Sequence, residues 1–352
     1  GERKLQIVRK EYKPTLVEFS LPAFVVKDVL SEDGTRVVDP TLDITPYIPF
    51  HEVDLSPLEQ VHINKDGKGV EKTVSIGFSR EIAEDTEEFL EIVEMRKRVA
   101  MKSSFRKSFW VQNILEYVPN PWTAHDLVER ALSLFKSMFS LEDIESNQVF
   151  LLDELRKILG GAGSKVGEID RLARKVFVDR MDSDEIRFVP KFSFKKVLTP
   201  EHYFEKEARR HSLKVKKSLF EPVIKEGLNA LEDKAVWRME DGKETYWWYR
   251  NKARKDFFLV AWRKNRFYPD FILTLQEKNP KSFDKILLIE TKGGHLLGNT
   301  DTEYKRELTN LYQRKIQRSW SSNEAFPVMP KETMFKFVEE QNLENEMNEI
   351  FA

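Results

Sequence analysis

The sequence predicts a mixed α/β protein in which a β-rich module and a helical bundle precede a mixed sheet flanked by helices. Residues 1–80 alternate short apolar runs with turn residues, and residues 81–200 carry apolar side chains at helical spacing. Residues 201–352 follow the order helix, strands, helix, strand. Since 352 residues are long for one domain, we expect three: a β-rich connecting module (1–80), a helical connecting domain (81–200) and a C-terminal α/β domain (201–352).

The first module is predicted from its apolar runs and its turn signals. Leu16 to Phe19 and Ala23 to Val26 are strand-like runs, and Asp33-Gly34 is typical of a hairpin turn. Prolines at positions 40, 46 and 49 then interrupt regular structure. We therefore expect short strands joined by irregular loops.

The helical domain is predicted from apolar spacing and from helix-end signals. We expect helices over Glu87 to Arg98, from Thr123 onward, over Val149 to Leu159 and over Ile169 to Arg180. Thr123 with Asp126 resembles a capping box, and Gly160-Gly161 is a typical helix stop. No cluster of side chains in this domain indicates catalysis.

The C-terminal domain is predicted to contain the sheet. Helices are expected within Leu213 to Val236 and over Thr302 to Trp320. Strands are expected at Tyr246 to Trp248, Phe257 to Trp262, Phe267 to Leu275, Ile286 to Lys292 and Phe335 to Val338. The uninterrupted apolar run Ile286 to Ile289 is typical of a strand that is covered on both faces.

Charge is distributed unevenly along the chain. The whole sequence has a net charge of -1, which gives no overall attraction to nucleic acid. From Asp241 to Trp320, however, there are 17 Lys and Arg against 10 Asp and Glu, a net of +7. This local excess would favour a polyanion, and an ordinary solvated surface is the alternative explanation.

Composition excludes several classes of protein. There is no cysteine, so disulfides and thiolate metal sites are excluded, which suits a cytoplasmic protein. No long uncharged apolar segment occurs, so we expect no membrane span. The start, Gly1 to Lys4, is polar and lacks methionine, so we expect no secretory signal and a segment of a longer protein.

Two carboxylates and a lysine lie in two neighbouring predicted strands. Tyr268-Pro269-Asp270 falls in the first strand, and Glu290-Thr291-Lys292 ends the second. Such residues on adjacent strands could hold a divalent cation beside a phosphodiester. The pattern resembles the PD-(D/E)xK nuclease motif. The alternative is a plain ion pair between Glu290 and Lys292 at a sheet edge.

The expected ligands are oxygen atoms, because Mg²⁺ prefers oxygen and keeps several waters. Asp270 and Glu290 are the candidate metal ligands, and the carbonyl of Thr291 is a third. Side chains alternate along a strand, so Lys292 shares a face with Glu290. There it could orient the attacking water or stabilise developing charge. Mn²⁺ is the expected substitute for Mg²⁺.

Five ordered motifs extend the resemblance. They are Leu231-Glu232, Trp247 to Asn251, Tyr268 to Phe271, Glu290 to Gly293 and Asp301 to Lys305. Over residues 205–320 this order resembles the C-terminal nuclease domain of type III restriction enzyme Res-subunit-like proteins. The earlier part is loosely similar to the region that joins the helicase motor to the nuclease in such proteins.

The resemblance implies a PD-(D/E)xK restriction-endonuclease-like fold for residues 201–352. It also implies a Mg²⁺-dependent DNA endonuclease within a restriction or phage-defence helicase–nuclease. Asp270, Glu290 and Lys292 match the catalytic residues, and the two acids match the metal ligands. Glu232, on the preceding helix, is the expected further ligand, with Glu221 as a second candidate.

The resemblance also implies contacts with DNA. Arg250 and Asn251, at a strand end, would hold the site together or touch the DNA backbone. Lys305 would approach a phosphate, unless it is an ordinary solvated helix lysine. The expected partners are DNA, a helicase-type ATPase domain upstream in the full-length protein and a methyltransferase subunit that reads the DNA sequence.

Two further observations bear on function. No G-x-x-x-x-G-K-[ST] string occurs, so we expect no ATP hydrolysis from this segment. Aromatic residues near the motifs could stack on unpaired bases, but their strand positions favour a core; they are Trp237, Trp247, Trp248, Tyr249 and Trp262. The alternative function is a catalytically inactive nucleic-acid-binding or scaffolding module of a DNA motor protein.

Overall fold

The structure is a computed structural model in which helices are combined with sheets. It describes residues 3–5, 7–30, 36–38, 42–63, 106–163, 165–193, 203–205, 212–225, 228–254, 256–277, 281–293, 300–316 and 331–351. Among these residues, no helix is both long enough and apolar enough to cross a membrane.

Helices and strands alternate along the described parts of the chain. The α-helices are α1 (Lys107–Ile114), α2 (Pro121–Met138), α3 (Leu141–Ser146), α4 (Gln148–Gly160), α5 (Glu168–Asp182), α6 (Ala230–Asp241), α7 (Thr300–Ile316) and α8 (Leu343–Ile350). The strands are β1 (Arg3–Leu5), β2 (Ile7–Val8), β3 (Ser20–Leu30), β4 (Arg36–Val38), β5 (Gly161–Ala162), β6 (Lys165–Val166), β7 (Ile186–Ser193), β8 (Tyr203–Glu205), β9 (Ser212–Leu213), β10 (Phe220–Glu221), β11 (Val223–Ile224), β12 (Thr245–Arg250), β13 (Phe271–Leu275), β14 (Lys285–Lys292) and β15 (Glu332–Glu339). Short 3₁₀ helices cover Lys13–Glu18, Thr45–Tyr47, Phe50–Glu52, Ser56–Gln60 and Glu340–Asn342.

The chain divides into two compact units. One comprises residues 1–44 together with 177–352, and the other comprises residues 45–176. This division differs from the three consecutive domains expected from the sequence. The reason is that N-terminal strands pair with strands far along the chain: β1 pairs with β8, β2 with β10 and β3 with β7. Local polarity patterns carry no information about such distant pairing.

The unit of residues 45–176 is built mainly from helices. Its core contains Trp110 of α1 and Phe135 of α2, which meet edge to face with 6.0 Å between ring centroids. Gly161 follows α4 with a φ of 85°, a left-handed conformation that glycine adopts without steric cost, so the predicted helix stop is confirmed. The predicted helix over Glu87 to Arg98 lies outside the described residues.

The helix predicted to start at Thr123 begins earlier. Pro121 is the first residue of α2, and Asn120 is its N-cap. The Asn120 side-chain oxygen accepts hydrogen bonds from the N–H groups of Trp122 (2.9 Å) and Thr123 (3.2 Å). Asparagine is a favoured N-cap, and proline suits the first helical position because no N–H is needed there. Asn120-Pro121 therefore sets the start of α2.

The main sheet of the other unit has the strand order β12-β13-β14-β15. β13 is antiparallel to β12 and to β14, whereas β14 and β15 are parallel. All residues from Ile286 to Ile289 are buried, which confirms the predicted strand covered on both faces. Arg250 lies opposite Phe271, and Phe271 lies opposite Ile289. The end of β12, the start of β13 and the end of β14 therefore meet at one edge of the sheet.

Both faces of this sheet are covered by packed side chains. On one face, α6 and α8 pack against a cluster that includes Trp248 and Ile289. On the other face, the Tyr312 ring of α7 lies 5.2 Å from the ring of Phe335 in β15. The strands β4, β3 and β7 form a second sheet, and Phe188 of β7 packs edge to face on Tyr312 at 5.3 Å. The two layers hold β14 in a fixed position between them.

Three secondary-structure predictions in this unit are wrong, and one helix was not predicted. The strand expected at Leu16 to Phe19 is instead part of a 3₁₀ helix, Lys13–Glu18, with Pro14 in its first turn. The helix expected within Leu213 to Val236 forms only from Ala230, because the short strands β9, β10 and β11 come first. The strand expected at Phe257 to Trp262 is irregular, and a single bridge joins Leu259 to Phe267. The C-terminal helix α8 was not predicted. The strands β9 and β10 are two residues long, too short to produce a periodic pattern.

We expect Asn120→Ala to lower the free energy of unfolding by about 1 kcal/mol, because two N–H groups of α2 lose their acceptor. Thr123→Ala is the matched control and should change it by less than about 0.5 kcal/mol. Urea unfolding of the two variants measures the difference. If Thr123→Ala lowers the free energy of unfolding as much as Asn120→Ala or more, the N-cap is Thr123 instead.

Candidate functional site

The carboxylate of Asp270 is fixed at the sheet edge by Thr291. Its Oδ2 atom accepts hydrogen bonds from the Thr291 backbone N–H and from the Thr291 hydroxyl, both at 2.7 Å. These contacts form because Asp270 immediately precedes β13, while Thr291 lies near the end of the antiparallel strand β14. The two sequence motifs are thus joined by direct hydrogen bonds.

Glu290 is almost completely buried, with 1% of its surface exposed. Its Oε1 atom accepts a hydrogen bond from Lys305 Nζ at 2.8 Å. Its Oε2 atom is buried and has no hydrogen-bond partner among the described residues. A buried carboxylate oxygen without a partner is energetically costly, so a cation or a hydrogen-bond donor at this point would stabilise the protein.

Charges around Glu290 form one electrostatic cluster. Burial and the neighbouring carboxylate of Asp270 raise the pKa of Glu290 to about 8, although the charges of Lys305 and Lys292 oppose this rise. Burial alone would lower the pKa of Lys305, but the charge of Glu290 and the hydrogen bond to it raise that pKa. Added positive charge beside Glu290 would therefore stabilise its ionised form.

Lys292 points to the same face of β14 as Glu290, because side chains alternate along a strand. Its Nζ atom lies 3.6 Å from Oδ2 of Asp301, in the first turn of α7. Asp301 and Lys305 are four residues apart on α7, so they share one face of the helix. Each of them pairs with a side chain of β14. The helix α7 thus supplies two of the charges around the site.

Glu232 has a role different from the predicted metal ligand. Its Oε2 atom accepts hydrogen bonds from the Asn229 backbone N–H at 2.9 Å and from Arg250 Nη2 at 3.0 Å. The Asn229 side chain in turn accepts from the Glu232 N–H, which completes a capping box. Glu232 therefore helps to cap the N-terminus of α6, and its contact with Arg250 links this helix to the end of β12.

The pair of Glu232 and Arg250 lies on the face of the sheet opposite to Glu290. Arg250 is paired with Phe271, and Phe271 with Ile289, so these three side chains share a face. Glu290 follows Ile289 and points the other way. Glu232 and Arg250 thus do not share the sheet face of Glu290, and within the described residues no third acidic side chain joins Asp270 and Glu290 in a group placed to hold a metal ion.

Asn251 is buried, and its side-chain amide is used within the protein. Nδ2 donates hydrogen bonds to the carbonyl groups of Phe257 and Pro269, both at 2.8 Å, and Oδ1 accepts from the Phe257 N–H at 3.0 Å. The Asn251 backbone N–H donates to the Asp270 carbonyl at 2.8 Å. Of the two roles expected for Asn251, these contacts match that of holding the site together.

The remaining described candidates have other contacts, are core residues or are exposed. Glu221 forms an ion pair with Arg9 at 2.9 Å. His295, which follows the Glu290 to Gly293 motif in the sequence, falls outside the described residues. Trp237 is 41% exposed, and the other aromatic candidates are buried core residues, namely Trp247, Trp248, Tyr249 and Trp262.

The donor set suits a cation that takes few protein ligands. Within the described part of the chain, no group of three or more His, Cys, Asp or Glu side chains is placed to hold a metal ion. Asp270 and Glu290 offer two carboxylates, and Oε2 of Glu290 lacks a partner in that part. Mg²⁺ takes oxygen ligands, keeps several waters and is often bound through one or two carboxylates, so this pair fits it.

Comparisons with protein families, with curated proteins and with solved structures found no match to the chain. The sequence pointed to Asp270, Glu290 and Lys292 but did not reveal the partners that α7 provides. The spacing of Asp301 and Lys305 on a predicted helix was the available signal, because it places both on one helix face.

We expect the stability of the protein to depend on pH through Glu290. Its pKa is raised from 4.5 to about 8, so the folded state binds more protons than the unfolded state between these values. The stabilisation is complete below pH 4.5 and is lost as pH rises through about 8. Glu290→Gln should remove this loss, which is on the order of a few kcal/mol.

Urea unfolding in EDTA at pH 5 and pH 8.5 measures this effect. Relative to wild type, Glu290→Gln should become more stable at the higher pH. Glu303→Gln, which removes an exposed carboxylate from α7, is the matched control and should follow wild type. If Glu290→Gln follows wild type as well, Glu290 does not carry the raised pKa.

Proposed function

We propose that this protein is a Mg²⁺-dependent DNA endonuclease that hydrolyses phosphodiester bonds at Asp270, Glu290 and Lys292. The observation that carries the proposal is the buried Oε2 atom of Glu290, which lacks a partner in the described part of the chain and lies beside a second carboxylate. Two neighbouring carboxylates with a low-dielectric environment are unfavourable without a cation. Their position beside Lys292 and Lys305 supports chemistry on a negatively charged substrate.

Asp270 and Glu290 would hold the Mg²⁺ ion, and Mn²⁺ would substitute for it. When bound, such an ion supplies an activated water and stabilises charge on the phosphoryl oxygens. Thr291 keeps the Asp270 carboxylate at the end of β14 through its two hydrogen bonds. Lys305 holds Oε1 of Glu290 and so leaves Oε2 for the ion.

Lys292 would act on the reacting groups. It lies on the face of β14 that carries Glu290, and its partner Asp301 is exposed, so Nζ borders the solvent side of the cluster. An ammonium group there can orient a water or stabilise negative charge as it develops on a phosphate. The weak ion pair at 3.6 Å leaves hydrogen-bonding capacity on Nζ for this role.

The fold is consistent with a PD-(D/E)xK domain, which we propose for the sheet of β12 to β15 and its helices. Support comes from a mixed sheet with helices on its two faces and from motif residues at one sheet edge. The same proposal places the chain in a type III Res-like restriction or phage-defence protein. It further includes a cytoplasmic location, an ATPase motor in the same protein and a methyltransferase partner.

One observation favours a second candidate function. Lys305 already provides a positive partner for Glu290, and no third acidic ligand is placed near the pair among the described residues. A catalytically inactive nucleic-acid-binding or scaffolding module of a DNA motor would retain this arrangement without cleaving DNA. Plasmid cleavage distinguishes the two functions.

We expect purified protein to nick or linearise plasmid DNA with Mg²⁺ or Mn²⁺ and to leave it intact with EDTA. Asp270→Asn and Lys292→Ala should each reduce the rate by about 100-fold or more, because each removes a group that acts on the transition state. Gel analysis of supercoiled, nicked and linear forms measures the rates.

Lys285→Ala is the matched control for Lys292→Ala, because Lys285 lies at the other end of the same strand. It pairs there with Glu277 and Glu332 and should cleave like wild type. Circular dichroism of every variant checks that the fold is kept. Full metal-dependent activity in folded Asp270→Asn or Lys292→Ala would overturn the assignment of the site.

A further inference from the structure

A short loop rich in positive charge precedes the candidate site. It runs over residues 262–266, Trp-Arg-Lys-Asn-Arg, and is called the basic loop below. It contains three cations and no acidic residue, and the chain continues through Phe267 to Asp270. Lys264 and Arg266 are exposed. Nothing in the proposed chemistry at Glu290 accounts for these charges.

The base of the basic loop is fixed. The backbone groups of Leu259 and Phe267 exchange two hydrogen bonds, of 2.9 Å and 2.7 Å, which close the loop. Trp262 is buried, and its ring meets that of Tyr304 edge to face at 4.8 Å. The Tyr312 hydroxyl donates to the carbonyl of Val260 at 2.8 Å. The charged side chains therefore project from a rigid support.

Both arginines of the basic loop lie over aromatic rings. The Arg263 guanidinium carbon is 4.2 Å from the centre of the Tyr304 ring, and that of Arg266 is 4.1 Å from the centre of the Phe258 ring. Stacking on a ring limits the rotamers of the side chain, and for the exposed Arg266 it leaves the N–H groups at the edge of the guanidinium able to donate. A ligand that binds Arg266 then loses less conformational entropy.

Lys264 and Arg266 form no ion pair with a carboxylate of the described residues. Exposed like charges this close repel each other, and a polyanion removes that repulsion. The basic loop also lies close to the site. Tyr304, which packs under Arg263, directly precedes Lys305, the partner of Glu290.

We propose that the basic loop binds the phosphate backbone of a nucleic acid next to the scissile position. That this polyanion is a nucleic acid rests on the proposed function. A guanidinium fixed by an aromatic ring matches phosphate in two-point geometry, and a neighbouring lysine adds a point charge. Such contacts position a strand without reading its sequence. Their distinctive property is a strong dependence of affinity on salt.

The test is DNA binding by Lys264→Gln/Arg266→Gln in EDTA, where no cleavage occurs. Fluorescence anisotropy with a labelled duplex and with the matching single strand gives affinity from 50 to 200 mM salt. Loss of two phosphate contacts should lower the slope of log affinity against log salt by about 1.8 for the duplex and about 1.4 for the single strand. The effect should be the same for unrelated sequences.

The matched control is Lys243→Gln/Lys281→Gln, which removes two exposed lysines next to the opposite ends of β12 and β14. It should keep the wild-type slope. The proposal fails if the basic-loop variant keeps that slope, if the control loses as much, or if no DNA binds. It also fails if polyglutamate competes as well as DNA at equal charge, since an acidic protein would then fit the loop equally.

The outcome is separable from that of the proposed function. Asp270→Asn should bind DNA with at least the wild-type affinity in EDTA while it fails to cleave with Mg²⁺. Wild-type protein that binds through the basic loop but never cleaves would overturn the nuclease and leave the binding surface established. If wild type cleaves DNA but the basic-loop variant keeps the wild-type salt slope, the nuclease proposal stands and the basic-loop proposal fails.

Discussion

The buried carboxylate of Glu290 sets the conditions for everything around it. It sits at the end of a strand whose preceding residues, Ile286 to Ile289, are buried between two packed layers, and its own side chain is buried as well. One oxygen is held by Lys305, and the other lacks a partner in the described part of the chain. The strand pairing then adds a second carboxylate, that of Asp270, through Thr291. Two close carboxylates in this environment require positive charge, and α7 with the end of β14 provides part of it.

Charged groups at this sheet edge divide between the two faces of the sheet. On one face, Glu232 and Arg250 tie α6 to β12, which is a structural role. On the other, Lys292 and Lys305 surround Glu290. Asn251 links the strand ends by hydrogen bonds from its buried amide. Residues that hold the strands and helices together therefore lie next to the candidate catalytic residues. For this reason, sequence motifs that are close together can differ in role.

Sequence reasoning reached the parts of this arrangement that local patterns determine. The apolar run before Glu290 predicted a strand buried on both faces, and the positions of Asp270 and Glu290 on neighbouring strands predicted that they would lie close together. It could not determine that Glu232 faces away from Glu290, because that depends on which sheet face α6 covers. It also missed the strands β9 to β11, since β10 pairs with β2, more than 200 residues away in sequence. Pairing of this kind leaves no local periodicity.

Binding of Mn²⁺ is the most direct test of the claim that Asp270 and Glu290 form a cation site, because it requires neither substrate nor turnover. Electron paramagnetic resonance of free Mn²⁺ during titration with protein measures it. We predict saturable binding by wild type and by Lys285→Ala, with loss of that binding in Glu290→Gln and in Asp270→Asn. Equal binding by wild type and by both site variants, or no binding by wild type, would show that Asp270 and Glu290 do not form a cation site.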